Sequence, residues 1–439
     1  MERKKRIALI SEHASPFACL GGADAGGQNV YVDQVSRHLA QQGYEIDVFS
    51  RRDDPMMPEI CDWSPGVRVM HLEAGPVRQL PKDDIWPYMP AFREAFMRFM
   101  VRDEKRYDLL HGHFWMSGWV VAELRRMLAI PAVQLFHATG ITKQRHQGEA
   151  DTSPVERIAV EKDIIQQVDK VIAQCPNEWQ ELIEEYGADP SRLALIPAAA
   201  NTALLRPVTR ALARQEIGLR QLGIPESAFT IAYVGRLLPR KDVRNIVQAL
   251  AILLQEYKER LPVPVKLLVV GGETLTADPL TTPEIGELQN LAHELGIQEH
   301  VHFFGKRQPD MLRYYYSAAD VVVTTPWYEP FGLTPLEGMA CGRPVIGSAV
   351  GGINYTIRDG ETGFLVPPRA PGALAERLHT LMQQPGLRQE MGRAARQRVE
   401  HEFTWSRTAS RLAKLYEELT CMPAVLPIHA NALAWELYP

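Results

Sequence analysis

What this sequence lacks closes off several classes of protein. Its 439 residues hold five cysteines, at positions 19, 61, 175, 341 and 421, with long irregular spacings and no C-x-x-C pair. That pattern excludes a disulfide framework or a zinc ribbon and fits a reducing compartment, so a cytoplasmic protein is expected. No Asp-x-Asp occurs anywhere in the chain. The carboxylate pair that commonly holds a divalent cation on a phosphorylated ligand is therefore missing. No run approaches the ~18 uninterrupted apolar residues of a membrane span. The basic start Met1-Glu-Arg-Lys-Lys-Arg is followed by only four apolar residues, 7–10, too few for a secretory h-region, and these read as a first strand. A net charge of −5 argues against a nucleic-acid partner or a polybasic membrane surface. No internal short repeat and no low-complexity tract interrupts the chain.

What is present is a regular alternation. With 46% hydrophobic and 23% charged residues the composition is that of a globular protein. At ~100–200 residues per domain, the length allows two or three. Short β-branched runs, such as those opening at Arg6, Glu45, Val67, Leu109, Ala132, Lys170 and Leu193, alternate with longer amphipathic stretches. The same scheme repeats with runs at Thr230, Val265, His300, Val321, Pro344 and Gly363. Strands alternating with helices predict parallel sheets covered on both faces, an α/β architecture of two Rossmann-like, doubly wound domains. The alternation pauses between Pro197 and Glu226, where Arg206-Pro207 and Pro225 fall. The expected division is 1–205 and 206–403, with a last helix in 404–439 returning to the first domain. The tail from Cys421, punctuated by proline, is expected to pack on the surface. Ligands of such sheets bind at the carboxyl ends of the strands, and two facing carboxyl edges would hold two substrates in one cleft.

The chemistry-bearing residues fall at those edges. Gly21-Gly-Ala-Asp-Ala-Gly26-Gly27-Gln28 forms the first βα turn, whose glycines admit a ligand to the backbone and the N–H groups of the next helix. It lacks the G-x-G-x-x-G spacing of a dinucleotide site, and the competing reading is a flexible surface loop. Tyr233-Val-Gly-Arg236-Leu-Leu-Pro-Arg240-Lys241 is a strand followed by a cationic turn. Such a turn suits a diphosphate and would stabilise charge on a departing phosphate. The competing reading is a set of surface salt bridges.

Glu329-Pro-Phe-Gly-Leu-Thr-Pro-Leu-Glu337 places two carboxylates eight residues apart around a strand-to-helix turn. The spacing predicts Thr334 as N-cap, Pro335 at the first helical position and Glu337 at the third, a capping box that would by itself account for Glu337. Glu329 precedes the helix and has no such structural explanation. His137 ends a predicted strand, where it is either functional or a structural histidine. His111 and His113 end the strand before it, and with no acidic or cysteine ligand nearby in sequence no metal site is expected there.

Together these segments resemble glycosyltransferase family 4, of the GT-B fold. The resemblance covers nearly the whole chain and rests on Gly26-Gly-Gln28, His111-Gly-His113, His137, Gly235-Arg236 with Lys241, and the Glu329-to-Glu337 element. Ala349-Val-Gly-Gly-Ile-Asn and Asp359-Gly-Glu-Thr-Gly-Phe-Leu-Val add to it. It implies that Glu329 holds donor-sugar hydroxyls and that Phe331, Gly332 and Leu333 contact sugar and phosphates through their backbone, with Gly27 facing the same ligand. Thr334 would bind the diphosphate, Glu337 the ribose, and Arg307 would sit at the base. Arg236 and Lys241 would stabilise the departing diphosphate, and His137 would contact the transferred sugar. Gly26, Gln28, Lys82, His113, Thr139, Lys143 and Arg157 would face the acceptor.

Within the family, two branches with phosphorylated acceptors are nearest in style. One joins UDP-glucose to fructose 6-phosphate, and the other joins UDP-N-acetylglucosamine to inositol phosphate. Gln28 favours the first, whereas Phe114 stands where both usually carry tyrosine. The expected activity is retaining glucosyl transfer from UDP-glucose to fructose 6-phosphate, giving sucrose 6-phosphate, without cofactor or metal. A separate phosphatase would act afterwards. The alternatives are inositol-phosphate transfer, transfer to free fructose, a sugar-nucleotide epimerase on the same fold, and a non-catalytic nucleotide-sugar sensor. Lys82 and Arg157 have a competing reading as solvated surface charges.

Overall fold

In the computed structural model, which describes residues 3–16 and 26–421, two sheets carry the molecule. The first has the order β3-β4-β2-β1-β5-β6-β7-β8. Its strands are β1 (Arg6–Ile10), β2 (Glu45–Arg51), β3 (Ile60–Ser64), β4 (Val67–Leu72), β5 (Leu109–His113), β6 (Ala132–Leu135), β7 (Lys170–Ala173) and β8 (Leu193–Leu195). The second has the order β11-β10-β9-β12-β13-β14. It contains β9 (Phe229–Val234), β10 (Val265–Val270), β11 (Val301–Phe304), β12 (Val321–Thr324), β13 (Val345–Ser348) and β14 (Gly363–Val366). Among the described residues every ladder is parallel except β3–β4. The α/β, GT-B architecture of two Rossmann-like sheets expected from the alternation is what the chain adopts.

β3 is the exception that the alternation does not reveal. Its residues, Ile-Cys-Asp-Trp-Ser, are half-buried or exposed throughout, because β3 is an edge strand paired with β4 alone, although Trp63 packs on the core and donates to Asp33 at 2.6 Å. The central strands β1, β2, β9 and β10 are almost wholly buried, which is why they read as continuous apolar runs. Sheet order reverses on either side of β1 and β9, so each sheet has its crevice beside a first strand, the place where open α/β sheets take ligands.

The last helix, Trp405–Cys421, packs on helix Gly27–Gln41 of the first sheet's layer. Tyr416 is fully buried there and its hydroxyl meets His111 Nδ1 at 2.6 Å. The bridge between Ala200 and Thr404 marks where the chain crosses back. The expected surface packing of the tail beyond Cys421 lies outside the described residues, as do positions 21–25 of the first glycine-rich turn. No helix among the described residues is long and apolar enough to cross a membrane.

Candidate active site

The carboxyl ends of the two sheets face one cleft of about 730 Å³. Its lining follows the strands: His13 after β1, Phe114 after β5, His137 after β6 and Gln174 after β7. From the second sheet come Arg236 after β9, Gly272 after β10, Arg307 after β11 and Glu329 after β12. Three non-glycine residues at these strand ends or the adjoining turn hold positive φ: Phe114 at 78°, His137 at 60° and Asp242 at 52°. Each such conformation costs ~1–3 kcal/mol, and such strain collects where a fold holds a site in place.

On the second sheet's side, Lys241 and Glu329 form an ion pair. Burial opposes ionisation of Glu329, but Lys241, Arg240 and Arg236 outweigh it and hold the carboxyl below its usual range. The Glu329 loop is kept in place by glycine. A side chain at Gly351 would run into the Glu329 carbonyl and one at Gly352 into Phe331, while Gly352 N–H donates to Glu329 O at 3.0 Å. This is the physical content of the Val350-Gly-Gly-Ile segment.

The following helix begins at Leu333, two residues before the expected start, with Gly332 as N-cap at φ 95°. The capping box is therefore corrected. Thr334 is the second helical residue, and Glu337 lies too far in to cap the helix. Instead Glu337 Oε2 accepts from Tyr316 Oη at 2.6 Å, and burial pushes its carboxyl up against that bond. Glycine wins the cap position because the chain enters the helix through the left-handed region, which threonine tolerates poorly. Gly332, Leu333 and Thr334 all line the cleft, with the first-turn N–H groups of the helix. Gly27 approaches Leu333 from the opposite side. Arg307 also lines the cleft, held by Tyr315 Oη at 2.6 Å and Leu275 O at 2.6 Å.

On the first sheet's side the cations sit in a built network. Three of the five N–H donors of Arg157 are engaged, by Glu161 at 2.8 Å, Ser153 at 3.2 Å and Ala138 O at 2.7 Å. Lys143 pairs with Asp151 at 2.9 Å and Asp83 at 3.4 Å. Lys82 at 5.5 Å and Arg157 at 4.9 Å from the ring centroid are both within cation–π range of Phe114. Gly26 and Gln28 also line the cleft, and Gln28 Nε2 donates to Ser11 Oγ at 3.1 Å.

His113 and Thr139 are not among the lining residues. His113 is fully buried, and its Nδ1 meets His137 Nε2 at 3.1 Å. Thr139 is buried with its hydroxyl on Glu181. Both stand behind the cleft wall. Burial pushes His111 and His137 down to about 3 and His113 well below the usual range, so all three are neutral near pH 7. Among the described residues no three histidine, cysteine, aspartate or glutamate side chains are grouped to hold a metal ion.

Sequence reasoning missed His13, Gln174 and Tyr328, which line the same cleft. His13 and Gln174 each lie shortly after a strand, and that position was the available signal. Tyr328 precedes Glu329 and carries no signal of its own.

Comparison with known proteins agrees with this geometry. A glycosyl transferase 4-like domain matches residues 26–199, and the family described as glycosyl transferases group 1 matches 215–398. The D-inositol 3-phosphate glycosyltransferase of Corynebacterium efficiens is 35% identical over 98% of this chain and 100% of its own length. A solved sucrose-phosphate synthase from Thermosynechococcus elongatus superposes with a TM-score of 0.83 at 35% identity, covering 95% of this chain and 99% of that one. Anabaena HepE, solved in complex with UDP and glucose, shares the fold at a TM-score of 0.71 and 19% identity, over 94% of this chain and 100% of that one. The chain is a member of glycosyltransferase family 4 with the GT-B fold.

Proposed function

We propose that this chain is a retaining glucosyltransferase that moves glucose from UDP-glucose to a phosphorylated acceptor, with fructose 6-phosphate the leading candidate. One observation carries the reading: the cleft has an anion-receptive wall on each side. Arg236, Lys241 and the first turn of helix Leu333–Ala340 face it from one sheet. Lys82, Lys143 and Arg157 face it from the other. A diphosphate fits the first wall and a monoester phosphate the second.

The acceptor hydroxyl attacks the anomeric carbon on the face from which the diphosphate departs. The glycosidic C–O bond forms as the bond to the diphosphate breaks, and the hydroxyl proton passes to the departing phosphate oxygen. No side chain serves as nucleophile. Arg236 and Lys241 stabilise the leaving charge, Glu329 holds sugar hydroxyls, and His137, neutral, contacts the sugar as a hydrogen-bonding group. Glu337 takes the ribose and Arg307 lies beside the base. The product keeps the acceptor phosphate, and a separate phosphatase would remove it.

A second reading is supported by the inositol-phosphate relative: transfer of N-acetylglucosamine to inositol phosphate through the same two walls. Incubation with UDP-glucose and UDP-N-acetylglucosamine against fructose 6-phosphate and inositol 3-phosphate separates the two, with products identified by mass and NMR. An α-linked product from the α-linked donor is expected, and a β-linked product would sink the retaining mechanism. Because cations and backbone groups take the place of a bound metal, turnover is expected to survive excess EDTA. Complete loss restored by magnesium or manganese would overturn the metal-free reading.

A further inference from the structure

Glu329 is gripped on both of its sequence neighbours by residues of the other half of the molecule. On one side, Tyr328 is buried against His146 of the other half and Arg240 of its own. The His146 ring stacks on it with centroids 4.8 Å apart and planes 14° from parallel. The Arg240 guanidinium carbon stands 5.2 Å from its centroid. The Tyr328 hydroxyl accepts from Gln147 Nε2 at 2.6 Å, a bond that joins positions 181 residues apart. On the other side, Pro330 O accepts from the Cys175 thiol at 3.5 Å. Burial and Glu178 push that thiol up to about 12, so it keeps its proton and remains a donor.

His146 and Gln147 close the helix Gly140–Gln147. Its other end is rigidly held: Gly140 N–H donates to Glu161 at 2.8 Å, Ile141 N–H to Tyr186 Oη at 2.9 Å, and Thr142 Oγ1 to Glu181 at 2.6 Å. Between the two ends sits Lys143, facing the cleft. On the Tyr328 side, Trp327 N–H donates to Arg240 O at 2.9 Å and Arg369 lies over the Trp327 ring at 4.3 Å. Both ends of the connection are anchored, and the contact between them is a stack and one short hydrogen bond.

We propose that His146, Gln147 and Tyr328 are positioning residues, an interdomain clasp through which engagement of the acceptor beside Lys143 sets the placement of Glu329 on the donor. The inference rests on the assignment of Lys143 to the acceptor side. Each ligand then strengthens binding of the other by the same factor, because coupling between two sites is reciprocal. A ligand that closes the cleft also draws on the clasp whether or not a second ligand is present.

Tyr328→Phe keeps the stack and removes the hydroxyl, Gln147→Ala removes the donor, and His146→Ala removes the stack. UDP affinity is measured by calorimetry with and without fructose 6-phosphate or inositol 3-phosphate, beside kcat and both KM values. In the wild type the acceptor is expected to tighten UDP by ~5-fold or more, within the usual span of coupled sites. Each variant should bring that factor close to one and lower kcat. A merely structural role would lower thermal stability and leave the coupling factor alone.

Should the wild type turn over with no phosphorylated acceptor, the functional reading fails and the clasp is judged by solution scattering with UDP alone. The wild type should then be more compact than Tyr328→Ala of unchanged helix content. Coupling and kcat at wild-type values in all three single variants, or identical scattering profiles, would overturn the clasp.

Discussion

The two walls of the cleft are built from different materials. The first sheet's wall is made of side chains held by side chains. Arg157 is fixed by Glu161, Lys143 by Asp83 and Asp151, and His137 by His113. The second wall adds backbone to its side chains: Gly332 opens a helix, Gly351 and Gly352 seat the Glu329 loop, and Lys241 has Glu329 as its carboxylate partner. A backbone wall presents the same N–H groups whatever lies beyond them, which suits a diphosphate carried by any nucleotide sugar. A side-chain wall changes with single substitutions, which suits an acceptor that differs between branches of one family.

The largest effect should come from breaking the second wall. Arg236→Ala and Lys241→Ala are each expected to lower kcat by ~10²-fold or more, the scale of lost stabilisation of a developing charge. Lys241→Ala also leaves Glu329 without its ammonium partner in a partly buried site. An unchanged kcat in a folded variant would make the cluster a surface salt-bridge site.

Breaking the first wall should act on a different quantity. Lys82→Ala and Arg157→Ala are expected to raise the acceptor KM by ~10- to 150-fold, the worth of a charge-assisted contact of ~1.5–3 kcal/mol. UDP affinity should stay within ~2-fold, and comparable weakening of UDP would show that the walls do not divide the work.

The smallest expected effect lies behind the first wall, at Glu178 in the helix that follows β7. Burial pushes its carboxyl up to about 8, so it is neutral in the folded protein at pH 7. The unfolded chain ionises near the usual value. A group raised in this way contributes stability that is fully present below about 4.5 and lost as the pH rises through about 8. Glu178→Gln should therefore gain in Tm relative to the wild type as the pH goes from 5 to 8. A Tm difference constant with pH would show that Glu178 ionises freely in the folded protein. The neighbouring histidines slope the other way. His111 and His137, lowered to about 3, contribute stability above ~6.5 that falls away in acid. The comparison with Gln at one position isolates the glutamate.

The same contrast of materials explains what could be read in the sequence. Buried parallel strands announce themselves as β-branched runs, and β7, β10, β12 and β14 lie where those runs place them. Motifs at strand ends announce the second wall, because glycine and charged residues there have few other uses. The edge strand β3 carried no continuous apolar signal, since it pairs on one side only and its residues stay half-buried or exposed. The helix start at Gly332 was misplaced because Thr334-Pro335 has stronger local cap chemistry than the glycine that the tertiary packing selects. Tyr328, Gln147 and His146 were illegible for a different reason. Their contacts join distant segments, and no local pattern records which tyrosine will meet which glutamine. His113 and Thr139 do not line the cleft, since sequence shows the strand end but not the direction in which each side chain points.

The division of labour between the walls is tested most directly by the ratio of kcat/KM for fructose 6-phosphate to that for free fructose, measured in the wild type and in Arg157→Ala with UDP-glucose at saturation. The account predicts a wild-type ratio of ~10 or more, on the scale of a charge-assisted contact, collapsing toward one in the variant as the phosphorylated substrate loses ground and the free sugar does not. A wild-type ratio near one that Arg157→Ala leaves unchanged would contradict it and assign the first wall to an unphosphorylated acceptor.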